Sequence, residues 1–83
     1  MGLDDGVRSY KGRLAEFAAE CAMEGMRYAH EEDGTKYSTN DAEGEIDAVW
    51  EFVRETCRDE GYPVPIKEDA IKQLKKLIKN ELN

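Results

Sequence analysis

Apolar residues recur at three- and four-residue spacing along most of the chain, and three such stretches are separated by turn signals. In the first, Val7, Tyr10, Leu14, Phe17, Cys21 and Tyr28 follow one another at helical spacing, with Ala18 and Gly25 beside them. The spacing predicts an amphipathic helix over about 5–30. Ala15, Ala19, Ala22 and Met26 widen its apolar arc, while Arg13, Glu16, Glu20, Glu24 and Arg27 collect on the remaining face. An arc so wide suits a helix covered from two sides. Helix 1 is therefore expected at the centre of the fold, with Met23 off its stripe.

The second stretch, about 41–60, carries Ala42, Ile46, Val49, Trp50, Val53 and Cys57 on one stripe and stops at Gly61. Phe52 falls roughly 110° from the centre of that stripe at the helix period, flanked by Ala48 and Thr56. The third, about 67–81, repeats the pattern through Ile66, Ala70, Ile71, Leu74, Leu77, Ile78 and Leu82. Tyr62-Pro63-Val64-Pro65 between them is a stiff extended connector, because each proline turns the preceding residue away from helix. The expected fold is all-α: a small three-helix bundle in one domain, 1–83. A chain this short hides only about 60% of its unfolded surface, so self-association that completes the core is a natural extension.

The connector HEEDGTKYSTNDAEGE at 30–45 holds the one histidine and a run of acids, and it is the only stretch that resembles a chemical site. Its residues are accounted for by helix punctuation. Asp33-Gly34 is a helix stop. Ser38, Thr39 and Asn40 are N-cap types, and Asn40 stands three before Glu43 in a box-like spacing. A calcium loop counted from Asp33 would need ligands at Thr35, Tyr37 and Gly44, and those residues do not supply them. His30 has no second histidine for zinc and no poised nucleophile, so it is read as a cation at a helix end. Cys21 and Cys57 form no CxxC pair and lie on apolar stripes. They are read as buried free thiols, with a disulfide between helices 1 and 2 as the alternative. No catalytic residue, metal ligand or cofactor is expected.

Charge then decides between the remaining classes. The net charge is −7. Up to residue 66, seven basic side chains face sixteen acidic ones, whereas 67–83 carries five lysines against three acids. So acidic a body disfavours direct nucleic-acid binding, which needs dense cations against phosphate. No apolar run approaches the roughly 20 residues that span a bilayer, and no apolar leader pattern is present, so a cytoplasmic setting is expected. The leading expectation is a non-catalytic acidic module that binds a protein partner with a basic surface. The candidate contacts are Glu43, Glu45, Asp47, Glu51, Phe52, Glu55 and Asp59 on helix 2. Acids spaced along a helix can stand in for phosphates, which suits an inhibitor of a nucleic-acid-handling protein. The rival is a self-associating structural subunit, here a homo-oligomer. A third expectation is weak nucleic-acid contact through Lys72, Lys75, Lys76 and Lys79.

Overall fold

The computed structural model describes Tyr10 and residues 13–82. Three helices pack together: α1 (Leu14–Asp33), α2 (Ala42–Glu60) and α3 (Lys67–Leu82), with a 3₁₀ turn at Thr39–Asp41 leading into α2. No strand occurs among the described residues. The all-α three-helix expectation holds.

The boundaries of α1 differ from the spacing. Arg13 has φ −143° and ψ 55°, outside the helical region, so the helix starts at Leu14. The Tyr10 carbonyl accepts from the Arg13 N–H at 2.6 Å in a turn before it. The earlier part of the expected helix, with Val7, lies outside the described residues. At the other end α1 continues one turn past His30 and stops at Gly34, whose φ of +70° is the left-handed geometry that glycine adopts without a Cβ penalty. Gly61 (φ +77°) closes α2 in the same way. There the Tyr62 N–H donates to Cys57 O and the Gly61 N–H to Arg58 O, the pairing of a Schellman cap.

The start of α2 is a second correction. Asn40 does not cap it; the Ser38 hydroxyl accepts from the Asn40 N–H at 3.2 Å and opens the 3₁₀ turn instead. Asp41 precedes the helix without a side-chain cap. A serine two residues earlier does the work because the chain must turn tightly before α2 can begin.

Half of the buried core comes from α1: Leu14, Phe17, Ala18, Ala19, Ala22, Met23 and Met26. At about 100° per residue these cover an arc of roughly 240°. Helix 1 is the central element, flanked by α2 on one side and α3 on the other. Met23, expected off the stripe, is wholly inaccessible, while Tyr28, expected on it, is 68% exposed. The buried arc is rotated toward α3. Arg27, one turn beyond Met23, shows where α3 lies, because its Nε and Nη2 both donate to Glu81 Oε1, at 3.2 and 3.0 Å.

From α2 the core takes Ala42, Ile46, Val53 and Cys57, with Val49 and Trp50 half-buried. From α3 it takes Ala70, Leu74 and Ile78, with Ile71 and Leu77 packed against it. Ile66 and Leu82 were placed on the α3 stripe but are 66% and 60% exposed. They sit at the two ends of the helix, where the contacts with α2 and α1 are made by the polar side chains of Lys67 and Glu81 instead. The start of α3 is tied to α2 by the Lys67 ammonium, which pairs with Asp47 and lies 5.8 Å from the Trp50 ring centre. No buried side-chain polar atom lacks a partner among the described residues.

Candidate protein-binding site

The seven candidate contacts on α2 do not form one face. At about 100° per residue, Glu45, Phe52 and Asp59 fall within roughly 20° of one line, with Glu55 about 60° to one side. Glu51, Asp47 and Glu43 turn progressively away, until Glu43 points opposite to Phe52. Two of these three already have partners within the fold. Glu51 accepts from Arg54 Nη1 at 2.9 Å, and Asp47 holds Lys67. The subset that shares a face with Phe52 is Glu45, Glu55 and Asp59, and Glu55 and Asp59 are exposed.

Phe52 opens onto something that helix periodicity alone does not reveal. Between α1 and α2 runs an open groove of about 520 Å³. Its walls and floor are Tyr10, Phe17, Cys21, Ala48, Val49 and Phe52, and Glu20 and Glu24 stand along its α1 side. Tyr10 is set at one end by its turn and by a tilted contact with Phe17, ring centres 6.0 Å apart. The Arg13 guanidinium also lies over the Tyr10 ring, 5.9 Å from its centre. Phe52, 39% exposed, is the aromatic that α2 contributes. None of the residues described as lining the groove is basic.

The groove carries a negative field that its own titratable groups register. Burial pushes the Cys21 thiol up to about 11, and the charges of Glu24 and Glu20 add to the rise. Tyr10 is raised by burial and by Glu20 and Glu16, against a smaller opposing effect of Arg13. Cys57 is raised by burial alone. Both cysteines are free thiols, Cys21 half-buried at the groove and Cys57 fully buried. With proton affinities shifted this way they are poor nucleophiles near neutrality, since the thiolate is the reactive form.

These shifts predict a pH dependence of stability. The folded Cys21 thiol holds its proton more tightly than the ordinary value of 9.0, so an unfolded chain loses that proton first. The stabilising contribution is complete below that value and is lost as pH rises through about 11. Urea midpoints are expected to fall between about pH 8 and pH 10.5. The fall should be smaller in Cys21→Ala; an equal fall in both proteins would show that Cys21 does not contribute.

Comparison with protein-family models, with curated proteins and with solved structures finds no match. The site is therefore read from its own geometry.

The α3 lysines form a more coherent stripe than the α2 acids. Lys72, Lys75, Lys76 and Lys79 lie within roughly 100° of one another at the helix period, and all are exposed. No aromatic residue of α3 is interleaved with them, since the helix contains none. Lys76 borders a smaller recess between α1 and α3 that also takes in Glu16 and Glu20, so part of this positive charge already faces acids of the same molecule.

The connector is organised as helix punctuation. His30 Nδ1 lies 2.8 Å from Thr35 O, to which it can only donate, and the imidazole stacks on Tyr37 with ring centres 4.7 Å apart and planes inclined by 23°. The histidine folds the loop back on the end of α1. Among the described residues, no three His, Cys, Asp or Glu side chains are grouped so that they could hold a metal ion. No helix among them is long and apolar enough to cross a membrane.

Sequence reasoning singled out Phe52 and the acids of α2 but missed Glu20 and Glu24, which it read as an ordinary solvent face. The one available signal was Cys21, an apolar position bracketed by Glu20 and Glu24. The groove itself needs the packing of α1 on α2, which no single-helix pattern contains.

Proposed function

We propose that this chain is a non-catalytic, acidic helical module that binds a protein partner through a basic surface on that partner. The observation that carries the reading is Phe52, left half-exposed at an apolar groove whose charged lining residues, Glu20 and Glu24, are both acidic. An aromatic anchor beside apolar lining with a charged rim is the composition of an interface centre. Complementary charge would speed the encounter and exclude acidic competitors. The contacts are Phe52 with Glu45, Glu55 and Asp59 on α2; Glu43, Asp47 and Glu51 are peripheral to them. A partner that itself handles nucleic acid fits this chemistry, because its cationic surface is built for phosphate and carboxylates can occupy the same positions. The module would then act as an antagonist of that protein.

The test is recovery of the tagged protein from a lysate of its native cells, at low salt and again near 1 M, with the light-scattering mass of each eluate. The wild type is expected to hold a stoichiometric basic protein at low salt. That protein should be lost near 1 M, where screening acts over only about 3 Å, and lost at low salt in the triple variant Glu45→Lys, Glu55→Lys, Asp59→Lys. Undiminished recovery by the variant would remove the reading. A lone species of multiple mass at both salts would replace it with the self-associating subunit.

A further inference from the structure

Taking the reading above as its basis, we infer that the groove between α1 and α2 receives an amphipathic helix of the partner, its apolar face on Phe17, Cys21 and Phe52 and its cationic flank read by Glu20 and Glu24. The shape of the groove favours a helix over a side chain or a small molecule. It is open along its length rather than enclosed, and on the α1 side it runs from Phe17 to Glu24. That is two helical turns, about 10 Å at a rise of about 1.5 Å per residue. A helix laid between two others rests its ridge of apolar residues in the groove that they form. Such a helix would complete a four-helix arrangement around α1 and α2.

Charge sets the chemistry of the occupant. Glu24 and Glu20 flank the apolar floor on the α1 side. A helix with lysine or arginine beside its apolar stripe meets these two carboxylates. A helix with acids there meets repulsion from them, which enforces specificity. Glu20 is shared with Arg27, at 3.9 Å, so Glu24 supplies the freer charge of the pair.

Cys21 provides the readout, because it lines the groove whereas Cys57 is fully buried. The probe is a synthetic 18-residue peptide of leucine and lysine alone, with leucines at helical spacing along one face. It is titrated into the full-length chain at low salt while thiol alkylation is followed residue by residue by mass spectrometry. The peptide is expected to bind and to slow Cys21 alkylation at least tenfold at saturation. Binding should weaken at least tenfold in Glu20→Lys, Glu24→Lys and, separately, in Phe52→Ser, but not in Glu43→Lys. Circular dichroism confirms that each variant is folded.

Three results would overturn the inference. Equal binding of an oligolysine of the same length would show that charge alone acts. Peptide binding that leaves Cys21 alkylation unchanged would place the contact elsewhere; loss of that binding in the Glu45, Glu55, Asp59 variant would still leave the acidic docking reading standing. Cys21 that alkylates as slowly as Cys57 in the free protein would mean that the groove is already covered. A monomeric mass would then assign the cover to the chain itself, and a dimeric mass to a second copy.

Discussion

Met23→Asp is expected to abolish cooperative folding. Met23 is wholly inaccessible on the α3 side of α1, although by sequence spacing it sits off the apolar stripe. Removing a buried methionine side chain alone costs about 2–5 kcal/mol. The substitution also buries a carboxylate one turn from Glu20, and the nearest cation, Arg27 one turn on, is already shared between Glu81 and Glu20. An unpaired buried charge adds several kcal/mol more. A domain of this length holds on the order of 4–12 kcal/mol in total, so the two costs together consume most or all of it. Thermal unfolding by circular dichroism should show a cooperative transition for the wild type and none for Met23→Asp. Met23→Leu, which keeps volume and apolarity, should stay within about 1.5 kcal/mol of wild type. If Met23→Asp melts within a few degrees of wild type, the helix has the rotation its sequence spacing suggests, and α3 does not cover it.

Leu74→Ala is expected to cost about 2–5 kcal/mol. Leu74 is fully buried at the centre of α3 between Ala70 and Ile78, where the helix packs on α1. The core is small, and five of the fourteen buried hydrophobic residues among those described are alanines. Few side chains can move in to fill the space that a missing isobutyl group leaves. Leu82, on the same sequence stripe but 60% exposed, supplies the internal comparison. Leu82→Ala should change stability by no more than about 0.5 kcal/mol, as surface substitutions usually do. The urea midpoints of the two variants read the difference directly. Equal losses would mean that the far end of α3 is as deeply packed as its middle, or that α3 is docked on a second molecule.

What the sequence reveals about this fold follows from how many neighbours each helix has. α2 and α3 each present one main face to the core, and their stripes through Ile46, Val53 and Cys57 and through Ala70, Leu74 and Ile78 are legible as plain periodicity. Gly34 and Gly61 mark the ends of α1 and α2, where the backbone takes the left-handed geometry that glycine adopts freely. α1 is different. With α2 and α3 on separate sides, its buried arc extends past the large residues to Ala19, Met23 and Met26, and no single stripe describes it. Its start was misplaced because the apolar rhythm continues back through Tyr10, while the backbone leaves the helix at Arg13. The α2 cap was misassigned because Ser38, Thr39 and Asn40 are chemically equivalent candidates, and the 3₁₀ turn decides among them.

The candidate site was legible in half. Phe52 stands out by its angle to the core stripe, and the acids of α2 by their number. Their division into a set facing with Phe52 and a set turned away follows from the helix period, but the capture of Asp47 by Lys67 depends on the approach of α3. The opposite wall, with Glu20 and Glu24 above Phe17 and Cys21, depends on which helix lies beside which. Charge layout and periodicity contain neither.

The most direct test of the central claim maps the partner-bound state by amide chemical shifts of the isotopically labelled protein. The account predicts that the largest changes fall on Phe17, Cys21 and Glu24 of α1 and on Ala48, Phe52 and Glu55 of α2, with the α3 lysine stripe little affected. Changes centred on Lys72, Lys75, Lys76 and Lys79, with the α1–α2 groove unaltered, would contradict it and make the basic face of α3 the working surface.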